Sequence, residues 1–208
     1  LVPIHLILKS QFQENPYISR HVKELILYSY NFDITSLLNG SQCEKINFRS
    51  CSGITDTTLL KDCEHITLHF CRNVTDFSSL GKQGTLVILD SRHLNNVLNL
   101  RSIKTITLRE CNNLEDVSPL QSVYDLSIRS CLKVSNISSL GGHHRLEVSH
   151  ATRKRLSGYH ALKDIPIVML CGCNISDVSV LRNAKVVHLE NCHSLVDVSP
   201  LKGVRDLT

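Results

Sequence analysis

The 208-residue chain contains no tryptophan, one methionine and only 5% aromatic residues. Its core must therefore be built from aliphatic side chains, and the interleaved aromatics that stack nucleic-acid bases are missing. The formal net charge of +4 is modest, which also disfavours nucleic acid as a partner. No apolar run is long enough to cross a membrane, and no signal peptide is visible.

Motifs for metal binding and catalysis are also missing. The sequence has no C-x-x-C pair and no glycine-rich phosphate loop. His143, His144 and His150 fall near Cys171 and Cys173 in a folded repeat array, but Cys173 occupies a core position. We therefore predict ordinary histidines, no metal site, no cofactor and no enzymatic activity.

One segment of the chain returns about every twenty residues. The sequence ITLRECNNLEDVSPL at 106–120 reappears in recognisable form at 66–80, 126–140 and 187–201. We take the first aliphatic residue of each copy as its anchor. The anchors are Leu25, Ile46, Ile66, Leu86, Ile106, Leu126, Leu146, Val168, Val187 and Leu207, separated by 19 to 22 residues. A steady period over most of a chain predicts a stacked repeat array.

Each unit changes its apolar spacing partway through. Ile106 and Leu108 alternate with polar residues, which predicts a short strand. Leu114, Val117 and Leu120 then follow at intervals of three. That spacing favours a 3₁₀ or extended return over a full helix.

Aspartates recur at one place in several units. They are Asp56, Asp76, Asp116, Asp177 and Asp197. Seen singly they resemble catalytic carboxylates, but the period marks them as turn residues. We expect them to accept hydrogen bonds from nearby backbone amides.

The consensus L-x-L-x-x-C-x-x-L-x-D-V-S-P-L resembles the leucine-rich repeat, in a short form with cysteine where many members have asparagine. The resemblance extends from Leu25 to Leu207. It implies a right-handed repeat solenoid with a concave parallel β-sheet of about nine to ten short strands and a convex side of short 3₁₀ or extended segments. It also implies binding on the concave face, without naming a partner.

Residues 1–21 precede the repeats and 22–208 form the predicted solenoid. Pro3 is followed by Ile4, Leu8 and Phe12 at intervals of four, which predicts a short capping helix. The stretch FQENPYISRHVKELIL is similar to the lead-in of F-box leucine-rich proteins. At the other end, Thr208 closes the start of a further strand, so we expect this end to continue or to meet another chain.

Most of the nine cysteines occupy one position of the repeat. Cys51, Cys71, Cys111, Cys131, Cys173 and Cys192 all lie five residues after an anchor, where Ser91 and Ala151 replace them in other units. A small thiol suits a buried corner between strand and turn. We therefore predict structural free thiols and an intracellular, reducing compartment. The glycosylation motifs at Asn39, Asn73, Asn136 and Asn174 favour the alternative of secretion.

Outward-facing strand positions are free of the demands of the core, and they differ along the array. A basic stripe is predicted at Arg49, His69, Arg109, Arg129 and Arg145. An apolar patch is predicted on later units at Ile167, Met169 and Val186. A basic stripe beside an apolar patch is typical of a protein-docking surface, although a merely solvated face fits the same residues.

The unit that begins at Leu146 carries two extra residues. They fall in the sequence ATRKRLSGYH, where Arg153, Lys154 and Arg155 form a basic insertion loop. Insertions in repeat proteins map to loops on one face and often contact partners. A targeting signal or a phosphate-backbone contact would use the same residues.

These observations predict a non-catalytic scaffold that binds another protein, of unknown identity, through the concave face. The first alternative is the substrate-recognition module of an F-box-type ubiquitin-ligase adaptor, which the lead-in favours. The second is a structural subunit of a large assembly, with its open end covered by a neighbour. An F-box upstream of Leu1 would separate the first alternative from the others.

Overall fold

One parallel sheet runs the length of the chain. The structure, a computed structural model, describes residues 4–9, 22–32, 34, 38, 43–149 and 155–208. Eleven strands pair in sequence order within those ranges, each parallel to the next. They are β1 (Ile4–Lys9), β2 (Val22–Tyr28), β3 (Lys45–Arg49), β4 (His65–His69), β5 (Thr85–Leu89), β6 (Thr105–Arg109), β7 (Asp125–Arg129), β8 (Arg145–Ser149), β9 (Ile167–Cys171), β10 (Val186–Glu190) and β11 (Asp206–Leu207).

The predicted anchors lie opposite one another on adjacent strands. Ile66 pairs with Leu86, Leu86 with Ile106, and Ile106 with Leu126. The same register continues to Leu146 and beyond, although the spacing between anchors there is uneven. The repeat period therefore predicted both the solenoid and the position of each strand from β2 to β11.

Within the described residues, six of the returns between strands contain a short segment of 3₁₀ helix. These segments span Thr58–Leu60, Leu98–Ser102, Ser118–Ser122, Tyr159–Leu162, Ser179–Leu181 and Ser199–Leu201. Before the third of these, Asp116 Oδ1 accepts a hydrogen bond from the Ser118 amide at 2.8 Å. Equivalent bonds follow Asp56, Asp76, Asp177 and Asp197. The prediction that these aspartates are turn residues is confirmed.

The core lies between the sheet and the returning segments. Leu86, Ile106 and Leu126 have no exposed surface, and neighbouring residues on the same strands face outward. Because each unit buries only a few aliphatic groups, stability comes from stacking on its neighbours.

Cysteine fills the corner where a strand meets its turn. The Cys111 thiol donates to the Ile88 carbonyl of the preceding unit and to the Arg109 carbonyl of its own. Cys51, Cys71, Cys131, Cys173 and Cys192 repeat this pair of bonds. All nine cysteines are free thiols. Burial raises the pKa of Cys63 and of Cys173 to about 12, so these thiols are poor nucleophiles.

The prediction of a capping helix at the N-terminus is wrong for Ile4–Lys9, which form strand β1. Leu8 is buried, Leu6 is half-buried and Ile7 is exposed, so the burial alternates as on a strand. The spacing from Ile4 to Leu8 suits either structure, but the free edge of β2 offers backbone partners that a helix cannot use. The rest of the predicted cap, 1–3 and 10–21, lies outside the described residues.

Candidate protein-binding surface

Three columns of side chains form the open face, the side of the sheet opposite the core. Strand alternation places the residue before each anchor, and those one and three positions after it, on this face. The first column runs Lys45, His65, Thr85, Thr105, Asp125, Arg145, Ile167 and Val186. The middle column runs Asn47, Thr67, Val87, Thr107, Ser127, Glu147, Met169 and His188.

The third column contains most of the predicted basic stripe. Arg49 pairs with His69, and Arg109 pairs with Arg129 two strands further on. Leu89 on β5 separates the two pairs. Arg145 belongs to the first column instead, at the opposite end of its strand. The structure therefore brings four of the five residues into one line and sets the fifth apart.

Glu147 lies between two of the predicted arginines, and sequence reasoning missed it. Its carboxylate forms ion pairs with both arginines: Arg129 Nη2 lies 2.6 Å from Oε1, and Arg145 Nη2 lies 3.1 Å from Oε2. The Ser127 hydroxyl donates to the same group at 3.2 Å. Glu147 is only 9% exposed, so these donors compensate a carboxylate taken largely out of water. Strand alternation could have revealed it, because Glu147 follows the anchor Leu146 by one residue and therefore belongs to the middle column of the open face.

The remaining positive charge is concentrated toward the N-terminal strands. The Arg49 guanidinium lies 5.5 Å from the centre of the Tyr28 ring, and His69 stacks on Phe70. Partial burial, with Arg49 and Arg109 nearby, lowers the pKa of His69. Burial is the largest cause of this lowered pKa, and the positive charge of the two arginines adds to it.

Arg109 in the stripe and Arg72 beside it also have acidic neighbours. Arg109 Nε lies 3.0 Å from Glu110, and both side chains are well exposed, so this pair contributes little. Arg72 binds Asp90 with two hydrogen bonds and stands over the Phe70 ring. Among the five predicted stripe residues, Arg49 and His69 alone make no ion pair within the described parts of the chain.

The predicted apolar patch is assembled as expected from the register. Ile167 on β9 lies opposite Val186 on β10. Met169 lies two residues further along β9, on the same face, and all three side chains are half-buried. Arg145 Nη2 approaches the Met169 sulfur at 3.1 Å, which joins the patch to the charged cluster around Glu147.

The predicted insertion loop is only partly described. Arg153 and Lys154 lie outside the described residues. Arg155 is exposed and lines a cavity between units, away from the open face. The structure therefore does not join this arginine to the basic stripe.

The histidines considered for a metal site have other surroundings. His143 is buried, its Nδ1 bonds to the Val123 carbonyl, and its Nε2 has no partner. His144 stacks on Tyr124 and contacts Asp125, and His150 lies outside the described residues. Among the described residues no group of three or more histidine, cysteine or acidic side chains is placed to hold a metal ion.

No helix within the described ranges is long and apolar enough to cross a membrane.

Comparison with known proteins identifies the fold. The chain matches no protein-family model and no curated protein sequence. Among solved structures, an internalin, InlF, from Listeria monocytogenes strain 4b F2365 aligns with a TM-score of 0.53 at 16% sequence identity, over 89% of this chain and 72% of that chain. Internalin C2 from the same strain aligns with a TM-score of 0.38 at 15% identity, over 93% and 77%.

The parallel sheet, the 3₁₀ returns and the likeness to InlF together define a leucine-rich-repeat solenoid. At such low identity the likeness concerns the fold alone. The similarity of the lead-in to F-box proteins stays a prediction, since no finding tests it.

Proposed function

We propose that this chain is a non-enzymatic interaction module that binds another protein through the open face. The observation that carries the proposal is that the open face of adjacent strands holds charged and apolar side chains which the core does not need. Most of the basic stripe lies in the third column, and the apolar patch lies in the first and middle columns of later strands. A parallel sheet spaces such side chains about 5 Å apart, so an extended partner can contact several strands at once.

The charge distribution favours a partner that presents carboxylates to the N-terminal strands. Arg49 and Arg109 supply positive potential near His69, whereas Glu147 compensates Arg129 and Arg145. The apolar patch of Ile167, Met169 and Val186 would contact apolar side chains further along the same partner. Complementary charge steers association, and desolvated apolar contact supplies most of the affinity.

Charge reversal on the open face tests this proposal. We would immobilise the chain, capture proteins from an extract of its source, and measure the affinity of each retained protein for two double variants. Arg49→Glu with Arg109→Glu is expected to weaken binding at least tenfold. Lys61→Glu with Lys202→Glu changes the charge equally on the 3₁₀ side and should leave binding intact. Equal affinities of the two variants would disprove binding through the open face.

The free thiols at the strand corners support the further proposal of a reducing, intracellular compartment. Each corner thiol donates to backbone carbonyls and adjacent thiols are not joined. In one of the glycosylation motifs, the side-chain Oδ1 of Asn174 accepts hydrogen bonds from the Leu156 amide and the Tyr159 hydroxyl, so this side chain is already engaged within the fold. Nine free thiols in protein isolated from its source would support this compartment, and glycan on Asn73 would contradict it.

A further inference from the structure

A cavity of about 560 Å³ lies on the turn side of the solenoid, where two units of unequal length meet. The anchors Leu146 and Val168 are 22 residues apart, and Val168 and Val187 are 19 apart. The strands nevertheless keep their register. The difference in length must therefore be absorbed by the returning segments, and the cavity opens between them.

The floor of this cavity is apolar and its wall is fixed. Leu156 and Ile175 are buried beneath it, and Val180 is half-buried at its side. Tyr159 Oη donates to Asn174 Oδ1 at 3.1 Å, and the Leu156 amide donates to the same oxygen at 2.8 Å. These two bonds tie the longer unit to the shorter one, so the cavity is formed before any ligand arrives.

The rim carries positive charge. The charges belong to Arg155 and Lys163, which are exposed and line the opening together with His160. Within the described parts of the chain none of the three makes an ion pair. Asp177 is the one carboxylate among the described lining residues, and its Oδ1 already accepts the Ser179 amide at 2.8 Å. The opening therefore favours an anionic ligand.

A second cavity shows that these features are not common to every junction. It measures about 470 Å³ between two units of regular length. Its lining consists mostly of serine, glycine and asparagine, with Lys82 and Arg101 at the rim. It combines positive charge with little apolar floor, so it provides a matched control surface.

We propose that the cavity between the Leu146 and Val168 units binds an acidic peptide segment of a partner protein. An apolar side chain of the peptide enters over Leu156 and Ile175, and flanking carboxylates face Arg155 and Lys163. Lining residues from three successive units, 155–163, 174–180 and Ser194, give the site the length that a peptide requires. This site is separate from the open face.

Titration of the whole chain with a defined peptide tests the site. The probe is an acetylated and amidated pentapeptide with a central leucine flanked by two glutamates on each side, and binding is followed by NMR chemical shifts. We expect saturable shifts confined to residues around the cavity. Arg155→Glu with Lys163→Glu should weaken binding at least tenfold, and Ser194→Trp, at an exposed lining position, should block it.

Three controls separate the proposal from its alternatives. Lys82→Glu with Arg101→Glu reverses the same charge at the second cavity and should leave the affinity unchanged. Arg49→Glu with Arg109→Glu should also leave it unchanged, so this site and the open face can fail independently. A peptide with alanine in place of leucine should bind at least fivefold more weakly. Absence of saturable shifts at millimolar peptide, or equal binding by inorganic phosphate alone, would overturn the proposal.

Discussion

The unit that begins at Leu126 and the unit that begins at Leu146 contribute adjacent strands, yet their turn sides differ. In the first, Asn136 accepts the Ser138 amide at 2.9 Å and Ile137 is buried in the core. In the second, Ser157 pairs with Asn136 of the first unit through a parallel backbone bridge, and Gly158 and Tyr159 come directly after it. Strand pairing thus tolerates a change in unit length, and the returning segments absorb it.

This comparison separates two parts of each unit. Backbone pairing fixes the register of the strand anchors, and burial beneath the sheet favours an aliphatic side chain at each of them. The turn side faces solvent and is not held by strand pairing, so a polar residue can replace an aliphatic one there, or a cavity can form.

The largest effect is expected at Gly158, in the irregular unit. Its φ is +91°, and a Cβ there would lie 2.3 Å from the Ser138 backbone nitrogen. Gly158→Ala should therefore cost about 3 kcal/mol, from an unfavourable backbone conformation plus a clash that forces the two units apart. Urea denaturation monitored by circular dichroism measures the loss.

Gly142 provides the matched control for that substitution. Its φ is +98°, but a Cβ there would meet nothing within 4 Å. Gly142→Ala should cost only the conformational part, about 1 kcal/mol. If the two alanine variants lost equal stability, close contact between the turn sides at Gly158 would be refuted.

The next effect concerns two polar residues that replace aliphatic ones in the same core column. Gln83 is satisfied: its Nε2 donates to the Lys61 carbonyl, and its Oε1 accepts the amides of Gly81 and Lys82. Gln83→Val leaves those amides without a partner and should cost about 2 kcal/mol. His143, by contrast, has a buried Nε2 without a partner, so His143→Val should stay within about 1 kcal/mol of the parent at pH 7.5.

Lowering the pH should increase the difference in stability between His143→Val and the parent. Burial lowers the pKa of His143 below its ordinary value, so the unfolded chain binds this proton more readily than the folded one. The parent should lose up to about 1.4 kcal/mol for each pH unit below about 6.5, down to the folded pKa. His143→Val lacks that loss, so its advantage over the parent should grow as the pH falls. Denaturation series at pH 7.5 and 5.5 measure it, and a constant difference would contradict the buried neutral histidine.

How much of this could be predicted from the sequence depends on which interactions are local. The period located every strand from β2 onward, because each anchor reports its own unit. Strand β1 was missed, since the spacing of Ile4 and Leu8 suits a helix and only the distant edge of β2 decides between the two. The role of Glu147 was missed because it depends on side chains from β7 and β8 meeting across the sheet.

The candidate site was predicted less completely than the fold. The register confirms that Arg49, His69, Arg109 and Arg129 share one column. Their use in binding stays a prediction, as does that of the apolar patch. The cavity beside Arg155 could not be foreseen, because an insertion shows where units differ but not whether the returning segments close over the gap.

The smallest effect is expected at the strand corner, where seven of the described residues other than glycine adopt left-handed backbone. They are Ser29, Ser50, Phe70, Asp90, Glu110, Ser130 and Asn191. In the irregular region Gly172 occupies the same place with φ +65°. An L-residue in this conformation costs roughly 1–2 kcal/mol, which a glycine avoids, although glycine also gains about 0.4–1 kcal/mol of entropy in the unfolded chain.

Ser130→Gly should therefore stabilise the protein by about 0.5 kcal/mol. Ser130→Ala keeps the unfavourable conformation and should be neutral, and Gly172→Ala should cost about 1 kcal/mol. Parallel urea denaturations of the three variants measure these differences. The sign of each change in the free energy of unfolding is more informative than its size, because the sign shows whether both kinds of unit adopt left-handed backbone at this corner. Stabilisation by Ser130→Ala, or no loss in Gly172→Ala, would show that the corner is not held in the left-handed region.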